Sequence, residues 1–243
     1  MSRFILIRGG GDLATGVALR LYRVGLDVML TELPQPLAVR RSVSFAEAIY
    51  EGEIIVEEVT GCAVPDPADS RRISEIIGRR QIPVLIDPLC TSVLALNPIA
   101  IVDARMMKQP PQPLTHGALL HIGLGPGFTA PKDCPAVIET QRGHTLGRVI
   151  YEGSTTPDTF QPDGDARRVL RAPASGILTS TARIGDKFQQ AQLIATINGE
   201  QILAPFPGIL RGLLRPGLAV TTGMKVGDLD ARNDPRLCEL ASD

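Results

Sequence analysis

The stretch 4-FILIRGGGDLATG-16 decides how the first third of the chain folds. The apolar run before Arg8 is typical of a buried strand, and residues 13–25 place apolar side chains at helical spacing up to Gly25. Between them, the pattern G-x-G-x-x-A starts at Gly9. Glycines at these positions let a backbone turn approach a pyrophosphate at a helix N-terminus. The stretch therefore predicts a strand, a phosphate-binding turn and a helix, or a tight turn that holds no nucleotide.

Acidic and basic residues around this turn extend the predicted site. Glu32 ends the next predicted strand, where an acid commonly accepts hydrogen bonds from a ribose diol. Asp12 caps the helix, or it competes with a pyrophosphate for the same backbone donors. Arg8, Arg40 and Arg41 could balance the added negative charge; for the two later arginines, a solvated loop face is the alternative.

Short apolar runs alternate with helical stretches as far as about residue 105. Strands are predicted in "RFILIR", "LDVMLTE", "EIIVEEV", "PVLID" and "AIVDA", and helices in "LATGVALRLYRVG", "SFAEAIY" and "ADSRRISEIIGRR". Such alternation predicts an α/β, Rossmann-like parallel sheet. We assign residues 1–110 to this nucleotide- or cofactor-binding domain, ending at a proline-rich connector.

Residues 111–165 are predicted to form a connecting β-rich segment with ligand-site loops. The loop 123–133 contains Gly125 and Gly127, whose backbone N–H groups could contact a ligand; an irregular turn is the alternative. The stretch 137-VIETQRGHTLGRVIYEG-153 brings Glu139, Arg142 and His144 between two strands. These could present an acid, a guanidinium and an imidazole to one ligand, or form a polar hairpin that satisfies its own backbone.

An internal repeat occupies the last third of the chain. Residues 172-APASGILTSTARIG-185 align without a gap with 204-APFPGILRGLLRPG-217, and Asn198-Gly199 between them predicts a hairpin. The repeat resembles the all-β barrel-sandwich hybrid of biotinyl and lipoyl carriers over residues 166–232. No lysine occurs between Lys187 and Lys225, so a docking or lid module is expected rather than a carrier. Residues 233–243 form a C-terminal tail.

Composition excludes several classes of function. The net charge is -1, and the chain has no Trp, six Phe and three Tyr, so we expect neither a nucleic-acid partner nor a membrane surface. No apolar run is long enough to span a bilayer, and the protein is expected to be cytoplasmic. The scattered cysteines form no metal-ligand spacing, so no metal site is predicted.

The order of these motifs resembles the YqeB family, which comprises accessory proteins of selenium-dependent molybdenum hydroxylase systems. The resemblance rests on "RGGGDLATG", "ELPQPLAVRRSVSFAEAIYEG", "IDP", "GLGPGFTA", "VIETQRGHTLGRVIYEG" and "APASGI", and it covers nearly the whole chain. The Rossmann part is also similar to the XdhC group of accessory factors. The segment "RMMKQPPQP" departs from the family's lysine-containing run. The end at "LASD" departs from an expected glycine-rich extension, so a truncated tail is one interpretation.

The resemblance implies a maturation factor that binds molybdenum cofactor and assists its modification or insertion into a hydroxylase. The implied ligand is molybdopterin or its cytosine dinucleotide form, and the implied partners are a hydroxylase subunit and other maturation proteins, with a homo-oligomer left open. An NAD(P)-binding oxidoreductase and a scaffold with an inert nucleotide fold are the alternatives. No catalytic residue is assigned. The predicted cofactor-binding residues are Arg8, Gly9, Gly10, Gly11, Asp12, Thr15, Glu32, Arg40, Arg41, Gly125, Gly127, Glu139, Arg142 and His144.

Overall fold

A computed structural model describes residues 3–107, 109–111, 120–158, 165–232 and 234–242. The helices and strands of the first part are β1 (Phe4–Arg8), α1 (Asp12–Arg23), β2 (Asp27–Glu32), α2 (Ala48–Glu51), β3 (Glu53–Val56), β4 (Val59–Val64), α3 (Ser70–Gly78), β5 (Ile82–Ile86), α4 (Thr91–Leu94) and β6 (Ala100–Asp103). Those that follow are β7 (Leu120–Leu124), β8 (Thr129–Ala130), β9 (Ala136–Ile138), β10 (Val149–Ile150), β11 (Gly153–Ser154), β12 (Val169–Arg171), β13 (Gly176–Thr179), β14 (Lys187–Phe188), β15 (Leu193–Ile197), β16 (Glu200–Leu203), β17 (Gly208–Leu213), β18 (Ala219–Val220) and β19 (Lys225–Asp230).

One large mixed sheet contains nine strands in the order β10-β9-β7-β6-β1-β2-β5-β4-β3. The strands β4, β5, β2, β1, β6, β7 and β9 run parallel, whereas β3 and β10 at the two ends pair antiparallel with their neighbours. Apolar side chains cover both faces: α1 packs on one through Ala14 and Ala18, and α3 on the other through Ile73 and Ile76.

The predicted Rossmann-like parallel sheet is wrong, and the β3–β4 hairpin supplies one physical reason. The stretch 53-EIIVEEV-59, predicted as one strand, turns back at Glu57 and Glu58, whose φ values are 45° and 72°. Two central residues with positive φ are typical of a tight hairpin turn, which leaves no room for a crossover helix. The chain therefore adds an antiparallel edge strand where the prediction required a parallel one.

The large sheet also extends beyond residue 110. Strands β7, β9 and β10 belong to the segment predicted as a connector, and they continue the sheet from β6 outward. Pro113 of the predicted proline-rich connector and His116 lie outside the described residues. The predicted domain boundaries stay a prediction.

The last third forms two four-stranded antiparallel sheets, β12-β19-β17-β14 and β16-β15-β13-β18. Among the described residues no strand pair joins them; they share one apolar core that includes Leu178, Leu210 and Val226. These two antiparallel sheets thus replace the predicted carrier-like barrel. The hairpin at Asn198-Gly199 is confirmed, because it joins β15 to β16.

Within the described residues, no helix is both long enough and apolar enough to cross a lipid bilayer.

Candidate functional site

A cleft lies at the edge of the large sheet where the parallel strands β1, β2 and β6 end. Its volume is about 550 Å³. Ligand sites are common outside the carboxyl ends of parallel strands, because loops and helix N-termini converge there. The lining residues come from the turn after β1, from the ends of β2 and β6, from residues 37–40 and from the second part of the chain. They are Gly9, Gly11, Asp12, Leu13, Ala14, Thr31, Glu32, Leu33, Leu37, Ala38, Val39, Arg40, Ser44, Pro88, Ala104, Arg105, Met106, Met107 and Lys225.

The glycine turn forms one wall of this cleft. Gly9 has φ 94°, a conformation that favours glycine, and its N–H donates to the carbonyl of Thr31 at 2.8 Å. Gly10 lies so close to the chain at Ala46 that a Cβ would be 2.9 Å from that backbone nitrogen. Gly11 precedes α1, whose N-terminus receives no side-chain capping bond. The positive end of the α1 dipole therefore faces the cleft wall.

Glu32 is turned toward this glycine loop. Its Oε2 accepts the N–H of Gly10 at 2.7 Å, and its Oε1 accepts the N–H of Leu33 at 2.8 Å. Burial raises the pKa of Glu32, although these two backbone hydrogen bonds oppose the rise. Because both oxygens are engaged by the backbone, Glu32 braces the end of β2 against the turn instead of presenting a free acceptor to a ribose diol.

Asp12 is held by a clasp from the end of the chain. Its carboxylate accepts the N–H and the hydroxyl of Ser242, both at 2.7 Å, and pairs with Arg40 at 2.6 Å. Arg40 also donates to the carbonyls of Leu237 and Leu240. The carboxylate of Asp12 is thereby neutralised beside the α1 N-terminus, which weakens its competition with an incoming anion.

A buried ion-pair cluster lies beneath the cleft. The register of β1 and β6 places Arg8 beside Asp103, and the two pair at 3.0 Å with side-chain exposures of 4% and 1%. Arg105 binds both oxygens of the same carboxylate, at 2.9 Å and 2.8 Å. Two guanidinium groups thus share one carboxylate, so this cluster keeps a net positive charge next to the cleft wall that Arg105 forms.

Apolar side chains supply the rest of the lining. Leu33, Leu37 and Met107 are 43%, 44% and 50% exposed, and Met106, which precedes Met107, also lines the cleft. Lys225, at the start of β19, brings a cation from the second part of the chain. The cleft therefore combines cations with accessible apolar surface, which is the composition of a site for an amphipathic anion.

The structure brings some of the predicted site residues together in the cleft and separates others. Gly9, Gly11, Asp12, Glu32 and Arg40 line it. The described residues that line the cleft do not include the other predicted site residues, which are Arg8, Gly10, Thr15, Arg41, Gly125, Gly127, Glu139, Arg142 and His144.

Some of the predicted site residues that lie outside the cleft make contacts within the fold instead. The Thr15 hydroxyl accepts the N–H of Phe45 at 2.8 Å, inside the molecule. Arg41 donates through Nε to the carbonyl of Leu213 at 2.8 Å and so connects β17 to the first part of the chain. Gly125 and Gly127 have positive φ and lie close to other residues of the same chain, so a Cβ at either position would collide with them.

The loop predicted to carry an acid, a guanidinium and an imidazole places them apart. The carboxylate of Glu139 is buried and accepts the N–H groups of Thr140, Gln141 and Thr156. Burial alone would raise the pKa of Glu139, but these backbone hydrogen bonds hold it below its usual value. Arg142 and His144 are exposed on the outside of the same loop. Whether these positions bind a ligand stays a prediction.

Sequence reasoning missed Arg105, Lys225 and the apolar residues of the cleft. Arg105 follows directly after the strand "AIVDA", and a polar residue at the carboxyl end of a parallel strand is a usable signal. For Lys225 no local signal exists, because it reaches the cleft through the packing of distant sheets.

Among the described residues, no group of three or more His, Cys, Asp or Glu side chains is placed to hold a metal ion. The cysteines are buried and unpaired, and burial raises the thiol pKa of Cys62, Cys90, Cys134 and Cys238. Raised thiol pKa values disfavour the reactive thiolate.

No protein-family model matches the chain. The chain is 44% identical over 236 residues to the uncharacterized protein YqeB of Escherichia coli (strain K12), a match that covers 96% of this chain and 43% of that protein. The chain is therefore a relative of YqeB and spans less than half of the length of that relative. The similarity bears out the YqeB part of the predicted resemblance; it does not show a role in selenium-dependent hydroxylase systems or a likeness to the XdhC group.

Solved structures superpose on the chain only loosely. An aspartoacylase family protein from Mesorhizobium loti MAFF303099 has a TM-score of 0.29 and 12% identity, covering 94% of this chain and 85% of that one. A succinylglutamate desuccinylase/aspartoacylase from Rhodobacter sphaeroides has a TM-score of 0.30 and 17% identity, covering 93% and 84%. Superpositions at these TM-scores assign neither a fold nor an activity to this chain.

The predicted function and cofactors are corrected. In the chain itself, Glu32 is occupied by the backbone of its own turn, which removes the contact on which a ribose was expected. Molybdenum-cofactor maturation and NAD(P)-dependent oxidoreduction are therefore withdrawn. The predicted partner proteins stay a prediction.

Proposed function

We propose that the chain binds a small organic anion with an apolar body in the cleft at the ends of β1, β2 and β6. The single observation that carries this proposal is the coincidence of cations and exposed apolar side chains on one concave surface. Its volume of about 550 Å³ fits a ligand of small-molecule size.

Electrostatics favour an anion. Beneath the cleft, Arg8 and Arg105 share the single carboxylate of Asp103, and in the cleft wall Arg40 offsets the charge of Asp12. The raised pKa of Glu32 reduces the negative charge further as the pH falls. The α1 N-terminus adds a partial positive charge.

The apolar residues favour a ligand that is more than an inorganic ion. Leu33, Leu37 and Met107 expose large apolar side chains in the cleft, and covering them is favourable by roughly 25 cal/mol per Å² of buried apolar area. A carboxylate or phosphate on an aliphatic or aromatic body would satisfy both halves of the lining.

The experiment is isothermal titration calorimetry with aliphatic carboxylates and alkyl phosphates of increasing chain length. Each buried methylene is worth about 0.8 kcal/mol, so affinity should rise roughly fourfold per methylene until the cleft is full. Inorganic phosphate should bind weakly. Equal affinity for a neutral alcohol and a carboxylate of the same chain length would refute the proposal.

Two matched glycine variants locate the binding. Gly11→Leu should abolish binding, because a Cβ at this cleft-lining position meets no atom within 4 Å and the side chain has room to fill the cleft. Gly78→Leu, at the end of α3, also meets nothing within 4 Å and should leave affinity unchanged. Binding that survives in Gly11→Leu would place the ligand elsewhere.

A further inference from the structure

A second surface of interest lies at one end of the nine-stranded sheet, in the loop between β9 and β10. Strand β10 is the last in the sheet order and pairs with β9 alone among the described strands. We call the exposed side chains of this loop and strand the basic edge; they are Arg142, His144, Leu146, Arg148, Val149 and Tyr151.

The loop behind the basic edge is held by a buried carboxylate. Glu139 accepts two N–H groups at its own end of the loop at 2.8 Å and the N–H of Thr156, beyond β11, at 2.7 Å. The backbone of Glu139 also accepts the N–H of Gly147 and donates to the carbonyl of Arg148. The exposed side chains are therefore presented from a fixed backbone, which lowers the entropy cost of binding a partner.

The basic side chains of this edge are available to a partner. Within the described part of the chain, Arg142, His144 and Arg148 have no side-chain hydrogen bond or ion pair to another residue. Other exposed arginines differ: Arg71 pairs with Glu75 at 3.0 Å, and Arg236, like Arg167, pairs with an aspartate two residues before it. Among the described residues, Glu152 is the exposed carboxylate next to the edge, and Arg142 and Arg148 outnumber it.

Apolar and aromatic side chains lie among these cations. Leu146, Val149 and Tyr151 are 50%, 45% and 72% exposed. Tyr151 differs from Tyr22 and Tyr50, which each donate their hydroxyl to a backbone carbonyl, at 2.7 Å and 2.9 Å. Arginine and tyrosine surrounded by aliphatic side chains are the composition of interface hot spots.

We propose that the basic edge is a docking surface for an acidic segment of a partner protein that also carries apolar side chains. Charge complementarity selects the acidic character of the partner. The exposed aliphatic side chains of Leu146 and Val149 favour a protein partner, because the backbone of a nucleic acid has no apolar groups that could cover them. This proposal is independent of ligand binding in the cleft.

Selection from a random peptide library displayed on phage, with the full chain immobilised, tests the proposal. Enriched peptides should combine Asp or Glu with Leu, Ile or aromatic residues. The best peptide, labelled with a fluorophore, should lose affinity about tenfold or more in Tyr151→Ser and in the double variant R142E/R148E, measured by fluorescence anisotropy. Wild-type binding should weaken as salt rises, since exposed charges are screened.

Arg183→Glu is the matched control, because Arg183 is an exposed arginine in the loop between β13 and β14; it should change affinity less than twofold. Enrichment of neutral or basic peptides, or equal binding by R142E/R148E and wild type, would overturn the proposal. So would displacement of the labelled peptide by single-stranded DNA at equal concentration. Sedimentation that shows a wild-type dimer dissociating in R142E/R148E would assign the surface to a second copy and overturn it too.

Discussion

Glu139→Gln tests whether a single buried carboxylate holds the loop before β10. Oε1 of Glu139 accepts the N–H groups of Thr140 and Gln141, and Oε2 accepts that of Thr156 at 2.7 Å. A glutamine can keep its oxygen toward the first two donors, but its amide group then faces the Thr156 N–H, donor against donor.

The expected cost follows from these contacts. One charge-assisted hydrogen bond is lost, worth about 1.5–3 kcal/mol, and a buried N–H is left without an acceptor, at about 1–3 kcal/mol. We expect the free energy of unfolding to fall by about 3 kcal/mol at neutral pH. Rotating the amide so that its oxygen faces Thr156 leaves two donors unpaired and costs more.

The pH dependence gives the prediction its sign. The pKa of Glu139 is lowered in the folded chain, so its stabilisation is complete above the ordinary value of 4.5 and is lost as the pH falls through the lowered value. The difference between wild type and Glu139→Gln should therefore be largest near neutral pH and shrink in acid.

Urea unfolding followed by circular dichroism measures this difference, because the chain has no tryptophan to report by fluorescence. Hydrogen exchange over residues 139–156 should show faster exchange in the variant. Glu152→Gln, an exposed carboxyl in the same segment, is the control and should stay within about 0.5 kcal/mol of wild type. A loss below about 0.5 kcal/mol in Glu139→Gln, or one that is equal at acid and neutral pH, would refute the reasoning.

Three further substitutions test the clasp and the buried ion pairs. Gly16→Ala places a Cβ 1.9 Å from the carbonyl oxygen of Ser242, so the end of the chain should detach and become sensitive to limited proteolysis. Asp103→Asn leaves the buried guanidinium of Arg8 without its carboxylate and should lower the free energy of unfolding by about 3–5 kcal/mol in urea titrations. Asp230→Asn removes a carboxyl whose pKa is lowered to about 2, chiefly by its hydrogen bond to Arg232. The free energy of unfolding should fall by about 2 kcal/mol at neutral pH. Calorimetry should show that the difference in stability between wild type and variant vanishes as the pH falls from about 4 to about 2.

Matched variants control for substitution itself. Gly78→Ala adds a Cβ where nothing lies within 4 Å and should leave proteolysis unchanged. Glu53→Gln removes an exposed carboxyl and should leave stability within about 0.5 kcal/mol. Equal effects in a control and its paired variant would contradict the contacts assigned above.

Local signals predicted the elements whose causes are local. The apolar run before Arg8 forms β1, and the periodic stretch after Gly11 forms α1 (Asp12–Arg23). Position-specific turn chemistry predicted the hairpin at Asn198-Gly199. The turn at Glu57 and Glu58 was missed, because glutamate at positive φ carries no such signal, and the wrong sheet class followed from it.

The site was predicted only as far as the turn itself. The glycine pattern located the cleft wall at Gly9 and Gly11 but not the direction of Glu32, whose carboxylate binds Gly10 across 22 residues of sequence. Arg8 was interpreted as a ligand contact, yet it pairs with Asp103, 95 residues away. Such pairings depend on strand register, which one strand's own sequence does not contain.

The clasp between Asp12 and Ser242 joins residues 230 positions apart, so it constrains the order in which the molecule can mature during synthesis. As a ribosome releases the chain from its N-terminus, β1 must wait for β6 to emerge before the centre of the large sheet can close. The first turn of α1 waits longer still. The cleft wall at Asp12 thus depends on a residue that lies 230 positions further along the chain, and until Ser242 is in place this carboxylate has Arg40 as a partner but lacks the two donors of Ser242.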